Sequence, residues 1–328
     1  MLLLSKEDIK EVITMREAVE AVKESFRLFS AGKSNVPLRT NINVPEHDGS
    51  MLFMPSLVED LDMGCLKVVN VFPENVKKGL PTTPAQVILI DASNGMVASV
   101  LDGTYVTQLR TGAASGAAFD VLANKECEKG ALIGTGGQAA TQLEAMLAVR
   151  DLEEVKIFDL NRERLQAFVE SMNQELDGYG AHILAAESSD DAVEDADLLI
   201  CATPSSTPVF DGNRVKDGAT LSCVGSYQPH MQEMDPVILT RASGIYFDSR
   251  EAVLSEAGDI LIPLETGVIT EDDFTGDLGD VLLGNVEGRR ADDEIIVFKT
   301  VGIGTQDLVT AKKIYDRAVE AGVGTNWD

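Results

Sequence analysis

A chain of 328 residues is long enough for two domains of ordinary size, and 44% hydrophobic with 25% charged residues describes a globular protein with a core. Its formal net charge of −27 at pH 7 excludes nucleic acid as a partner, which would require a basic face. Any anionic ligand must then be met by local donors that offset a repulsive global field.

The apolar run in MLLLSKED is far too short for a signal peptide, and no stretch approaches a membrane span. Cys65, Cys127, Cys201 and Cys223 stand singly in apolar or strand-like contexts, so buried free thiols and a cytoplasmic location are expected. His47, His182 and His230 lack metal-ligand spacing, and no metal is expected.

Residues 5–32 read as helices: Thr14 with Glu17 forms a capping-box pattern, and Ala18, Val22, Phe26 and Phe29 line one face until Gly32. Strand-like runs follow at 51–54, 65–71, 87–90 and 97–101, with Ser93-Asn94-Gly95 as a hairpin signal between the last two. This part predicts a largely antiparallel sheet. Residues 104–122 predict a helix crowded with small side chains, and the glycine within it implies close approach of another backbone or a ligand. Arg110 in that helix is either a surface arginine or a partly buried cation in need of an anion.

From Lys129 onward strands and helices alternate, as a parallel sheet requires. The run 131–133 enters the turn Gly134-Thr135-Gly136-Gly137 and then a helical segment in which Ala140, Leu143, Met146 and Leu147 share a face. Strand, Gly-x-Gly-x-x-Ala turn and helix is the arrangement that holds a dinucleotide pyrophosphate. Gly134 makes the turn, Gly136 admits the phosphates, Ala139 packs helix on strand, and the helix N-terminus faces the anion. The next strand, 155–158, closes on Asp159, at the place roughly 20 residues on where a carboxylate meets the adenine ribose. NAD is therefore expected, although Asn161-Arg162 just beyond leaves NADP open.

Further strands are predicted at 182–185, 197–202, 220–224, 245–247 and 295–298, with a helix opening near Ser188 and a final helix after Gly302 and Gly304. The loop beginning Thr203-Pro204-Ser205 falls at the carboxyl end of a strand, where open parallel sheets bind ligands. No Tyr-x-x-x-Lys pair, GxSxG elbow or phosphate-binding GxxxxGK[ST] loop occurs, so the proton carriers and anion clamps must be sought among Lys, Arg and carboxylates. Lys67 is the one charge in the apolar run Gly64–Val69. The pattern leaves two readings: an edge-strand or outward lysine, or an inward one that clamps an anion or carries a proton.

Several blocks, taken in order and spacing, resemble the ornithine cyclodeaminase/mu-crystallin family along nearly the whole chain. They are Met54-Pro55, LKVVNVFPENVKKGLPTTPA (66–85), LDGTYVTQLRTGAASGAA (101–118), IGTGGQA (133–139), ATPSSTPV (202–209), EAGD (256–259) and DEIIVFKTVGIGTQDL (293–308). The resemblance implies an α/β chain. A Rossmann NAD(P)-binding domain would span 123–302, and a discontinuous α+β domain for substrate and dimerisation would span 1–122 plus 303–328. It implies that Arg39, Lys67 and Arg110 bind a substrate carboxylate, with Val301 and Tyr227 also at the substrate. The implied cofactor set is Thr82, Arg110, Gly134, Thr135, Gly136, Gly137, Gln138, Ala139, Asp159, Thr203, Pro204, Ser205, Val224 and Gly225.

Two departures narrow the chemistry. Cyclodeaminases and the archaeal alanine dehydrogenases of the family carry a catalytic aspartate in a Gly-x-Asp-x-Pro block, which here reads Gly225-Ser226-Tyr227-Gln228-Pro229. The glutamate that cyclodeaminases place shortly before Met-Pro is here Leu52. A phenol with a pKa near 10 cannot replace a carboxylate that takes a proton from an amine. The expectation is a homodimeric reductase of a cyclic imino acid, of the Δ1-pyrroline-2-carboxylate or Δ1-piperideine-2-carboxylate type. It would use NAD(P)H and Lys67 as proton donor on a small amino- or imino-acid substrate. The alternatives are an ornithine cyclodeaminase or alanine dehydrogenase with another base, and a non-catalytic dinucleotide-binding protein.

Overall fold

The computed structural model describes residues 1–327. In chain order the elements are β1 (Leu2–Leu4), α1 (Lys6–Val12), α2 (Met15–Ser30), β2 (Ser34–Asn35), β3 (Thr40–Val44), β4 (Gly49–Val58), β5 (Met63–Val71), β6 (Ala85–Asp91), β7 (Val97–Asp102) and α3 (Gly103–Leu122). Then come β8 (Lys129–Ile133), α4 (Ala139–Val149), β9 (Glu154–Phe158), α5 (Arg162–Glu175), β10 (His182–Ala185), α6 (Ser189–Val193), β11 (Leu198–Cys201), β12 (Thr220–Cys223), α7 (Pro236–Arg241) and β13 (Gly244–Phe247). The chain closes with α8 (Arg250–Glu256), α9 (Gly258–Glu265), β14 (Gly276–Asp277), α10 (Leu278–Leu283), β15 (Ile296–Lys299), α11 (Gly304–Ala321) and β16 (Thr325–Asn326). These form two compact units, Met1–Arg110 with the chain from Ile303 onward, and Thr111–Gly302.

In the first unit the strands run in the order β16-β1-β7-β6-β5-β4-β2, with β3 also paired to β4. Only the β1–β7 pairing is parallel; the rest are antiparallel. The sequence predicts β4 to β7, and the Ser93–Gly95 turn joins β6 to β7 as its residues require. β1, β2, β3 and β16 are additions. They are too short to show a period, or, like Thr40–Val44, expose nearly every side chain. β5 lies between β4 and β6, with Lys67 opposite Met54 and Val87, so the edge-strand reading of Lys67 is excluded. Helix α2 starts at the Thr14–Glu17 capping box, buries Ala18, Val22 and Phe26, and packs against α11, which also lies on β4 and β5.

The second unit holds a wholly parallel sheet in the order β10-β9-β8-β11-β12-β15-β13-β14. From β8 the chain winds one way through β9 and β10, then returns to β11 and β12 on the other side, which is the Rossmann pattern. The strand reversal next to β8 opens a crevice at the carboxyl ends of β8 and β11. Ile133, Leu199, Cys201, Leu221, Phe247 and Val297 lie in one buried core cluster. Helix α3 explains its own small residues: a Cβ on Gly112 would collide with the Thr141 carbonyl of α4, so only glycine allows the two helices to approach this closely. At the end of α3, the Arg150 guanidinium donates to the Phe119 and Ala123 carbonyls at 2.8 and 3.1 Å, satisfying the orphan acceptors there.

Candidate functional site

A concentration of buried charge lies in the first unit. On β5 the side chains of Met63, Cys65 and Lys67 alternate inward, so the strand period itself drives Lys67 into the interior. Its Nζ lies 2.6 Å from Asp307 Oδ2, and Arg110 Nε donates to Asp307 Oδ1 at 3.1 Å. All three are nearly inaccessible: Lys67 is 1% exposed, Arg110 7% and Asp307 1%. Asp307 occupies the first turn of α11, where the helix dipole favours a carboxylate. Beside it, Gln306 Oε1 accepts from Arg110 Nη1 at 3.0 Å and from the Ile303 N–H at 3.1 Å. Two donors on one oxygen fix that amide's orientation.

The cluster is short of one negative charge: two buried cations share a single carboxylate. Burial drives the Lys67 ammonium down to about 8, against the pull of Asp307 and with the push of Arg110. A lysine so tuned holds its proton at neutral pH yet can release it. The surface reading of Arg110 is thereby excluded, and Lys67 and Arg110 are brought together by Asp307, a residue that nothing in the sequence pattern singles out. Arg39 immediately precedes Thr40, which pairs with Phe53; Phe53 in turn pairs with Val68, the neighbour of Lys67. Arg39 therefore enters the same sheet close to that register. Thr82 is exposed and holds the Phe72 N–H through its carbonyl.

The second unit carries the glycine turn. Gly134 has φ +99°, and a Cβ there would lie 2.7 Å from the Ala202 carbonyl oxygen, so the turn requires glycine. At Gly136, by contrast, a Cβ would meet nothing within 4 Å; Gly136 and Gly137 are exposed, and α4 starts without a side-chain cap. An uncapped helix start beside open space suits a pyrophosphate. The adjoining cavity, about 670 Å³, is lined by the Gly134–Gly136 turn, Asp159, Arg164 and the Thr203–Ser205 loop among others. Ala139 is fully buried against the sheet, while Gln138 is half-buried at the head of α4.

Asp159 ends β9 at the expected place, but its carboxylate is already in use. Its Oδ2 accepts from Thr135 N and Oγ1 at 2.9 and 2.7 Å, its Oδ1 from Asn161 N at 2.8 Å, and both from Arg164 Nη2 at 2.7 Å. Burial alone would raise this acid; the donors from Asn161, Thr135 and Arg164 outweigh it and hold the group below its ordinary value. Arg162 does not reach the cavity rim. Its guanidinium donates to the Ala186 and Glu187 carbonyls, and Arg164 takes the place beside Asp159.

A second buried network underlies the loops after β11 and β12. Glu233 accepts from Thr203 N and Oγ1 at 2.7 and 3.0 Å and from Gly225 N at 2.6 Å, so one carboxylate fastens both loops. Asp259, from the EAGD block, accepts from the Glu233 and Met234 amides and pairs with Lys299 at 3.0 Å. Burial and Asp259 push the Glu233 carboxyl up to about 7, against Lys299 and the amide donors. Val224 extends β12 through its N–H to the Cys201 carbonyl. Tyr227, just beyond Gly225, is 41% exposed, and partial burial raises its phenol. Asp248 accepts from Thr300 Oγ1, Val301 N and Gly302 N, which fixes the half-buried Val301.

Residues 1–322 match the family model described as the ornithine cyclodeaminase/mu-crystallin family. A Δ1-pyrroline-2-carboxylate reductase of Bacillus cereus is 36% identical over 324 residues, 99% of this chain and 98% of that protein. Among solved structures, the Thermococcus litoralis Δ1-pyrroline-2-carboxylate reductase in complex with NADH and L-proline superposes with a TM-score of 0.94 at 40% identity, covering 100% of both chains. An archaeal alanine dehydrogenase dimer with bound NAD has a TM-score of 0.91 at 34% identity, over 100% of this chain and 99% of that one.

Proposed function

The chain belongs to the ornithine cyclodeaminase/mu-crystallin family, and on that footing we propose that it is an NAD(P)H-dependent reductase of a cyclic imino acid, with Δ1-pyrroline-2-carboxylate as the substrate type. The observation that carries this reading is the buried cluster of Lys67 and Arg110 on a single carboxylate, Asp307. A substrate carboxylate supplies the missing negative charge, and planar guanidinium with point-charge ammonium is a strong combination for it. The relatives support the same substrate class, since the Thermococcus litoralis enzyme was solved with NADH and L-proline.

In this reading Lys67 and Arg110 hold the carboxylate, and Asp307 holds Lys67 and Arg110. Arg39, entering the sheet near Lys67, completes the clamp. The Gly134–Ala139 turn and the head of α4 receive the pyrophosphate, and the Thr203–Ser205 and Val224–Gly225 segments, fastened by Glu233, flank the dinucleotide. Val301 and Tyr227 contribute to the substrate pocket, and Thr82 to the nicotinamide end. When bound, the reduced nicotinamide would supply the hydride for substrate C2, and the C=N π electrons would go to nitrogen. Lys67 supplies the proton that keeps that nitrogen protonated, within reach of its lowered pKa. Orientation and a desolvated, pre-charged site provide most of the acceleration. Tyr227 offers no carboxylate to deprotonate an amine, which favours reduction over ornithine deamination.

In this reading 1–122 plus 303–328 serve substrate and dimer contacts and 123–302 the cofactor, although the stretch from Thr111 to Leu122 groups with the second compact unit. A homodimer is in keeping with the archaeal alanine dehydrogenase dimer and with the exposed Leu38, Ile42, Val76 and Leu80 of the first unit. Light scattering should give twice 35.2 kDa. The activity test is a panel of Δ1-pyrroline-2-carboxylate with NADH or NADPH, pyruvate plus ammonia with NADH, and ornithine with NAD. Cofactor oxidation with the cyclic imine is expected. Turnover confined to pyruvate plus ammonia would make it an alanine dehydrogenase, and dinucleotide binding without any turnover would make it a binding protein.

A further inference from the structure

Gln306 carries a donor that the protein itself leaves unused. It is the third residue of α11, where a glutamine reaches back to the amide that opens the helix. Its Oε1 does so, accepting from Ile303 N at 3.1 Å and also from Arg110 Nη1 at 3.0 Å. Both partners can only donate, so the amide cannot be turned over, and Nε2 is fixed as the free end. On a surface helix that end would face water. Here the residue is fully buried, and Nε2 meets no acceptor among the described residues. Thr310, one turn further along the same face of α11, does not take it up, since its own buried hydroxyl also lacks a partner.

An unpaired buried donor destabilises the protein that carries it, so this one calls for an acceptor from outside the chain. Nε2 shares its carbon with Oε1 and therefore lies next to the Arg110 guanidinium, at the cluster where Lys67 and Arg110 share the one carboxylate of Asp307. Water would satisfy the amide but not the surplus of positive charge beside it. An anionic acceptor satisfies both.

We propose that Gln306 is a substrate-binding residue: its Nε2 donates to an oxygen of the substrate carboxylate, beside Lys67 and Arg110. Its neutrality matters as much as its donor, because a carboxylate at this position would fill the charge deficit that the substrate is there to fill. The inference rests on the substrate reading above and adds to it a residue that sets the preference for an anion.

The test is calorimetric binding of L-proline to the NADH-loaded wild type, Gln306→Met and Gln306→Glu, with NADH fluorescence showing that each variant is folded and holds its cofactor. Gln306→Glu is the discriminating variant: it keeps the oxygen that braces Arg110 and the Ile303 amide, removes the NH2 group and adds a negative charge. L-Proline affinity should fall about tenfold or more in Gln306→Met, which loses the donor, and further still in Gln306→Glu. A residue that merely braces Arg110 gives the reverse order. Gln306→Glu binding L-proline as tightly as wild type would therefore overturn the proposal and leave the substrate reading standing. An independent readout on the wild type is the side-chain amide resonance of protein carrying isotope-labelled glutamine. The signal missing from Gln306→Met should move downfield when L-proline is added, and an unmoved signal would also overturn the proposal. Wild type that holds NADH but binds no L-proline would overturn the substrate reading and this inference together.

Discussion

Lys67 and Arg110 are two buried cations whose shared counter-charge, Asp307, comes from the far end of the chain. Removing Asp307 would leave both cations without their counter-charge, a change that typically costs about 3–5 kcal/mol, whereas removing Lys67 leaves Arg110 and Asp307 as a matched pair. Lys67→Ala should lower kcat/KM by about a hundredfold or more, the ordinary scale for a proton donor, whatever its effect on stability. The ammonium, held at about 8, is the form that donates, so the wild-type rate should fall as pH rises through that value. Asp307→Asn withdraws the attraction that keeps Lys67 charged while Arg110 still repels it, so this alkaline limb must move to lower pH. A pH–rate profile of the two proteins checks the sign; an unmoved limb would separate Lys67 from the proton step. Lys67 was legible in sequence because it is the one charge in an apolar strand. Asp307 was not, since an acidic residue in a first helical turn is ordinary dipole complement, and only the fold shows its partners. Arg164 was equally hidden, as one basic residue among several at the head of a helix.

The elements of the second unit were the more readable part. Every predicted strand from β8 to β13, and β15, appears within a residue or two of its expected bounds: β11, β12, β13 and β15 are fully buried, mainly apolar runs with sharp ends, and β9 and β10 alternate buried with more exposed positions. What the pattern cannot carry is order: β15 inserts between β12 and β13, and nothing local marks that. Nor does it show that Glu233 fastens the loops after β11 and β12. That carboxylate makes a claim about pH. Its folded pKa, about 7, lies above the ordinary 4.5, so the folded chain binds this proton more tightly than the unfolded chain does. The stabilisation is complete below pH 4.5 and is lost as pH rises through about 7. Glu233→Gln has no such proton, so the stability difference between wild type and variant should shift against the wild type over that window. Urea denaturation at several pH values measures it, and a flat difference would contradict a raised Glu233.

At the scale of the molecule, a chain of net charge −27 binds two kinds of anion in this account, and it does so with local devices. A helix N-terminus and glycine turn serve the dinucleotide; a buried surplus of positive charge serves the carboxylate. No helix among the described residues is long and apolar enough to cross a membrane. The family match covers residues 1–322, so the full set of parts is that of one family, and the position beyond Gly225-Ser226 holds Tyr227, which offers no carboxylate. The central claim is hydride delivery to the carbon that bears the substrate carboxylate. It is tested most directly with NADH dideuterated at the nicotinamide C4, Δ1-pyrroline-2-carboxylate, and mass spectrometry of the product. Proline carrying one deuterium at C2 is expected; unlabelled proline, or no proline while NADH remains bound and unoxidised, would contradict hydride delivery to that carbon.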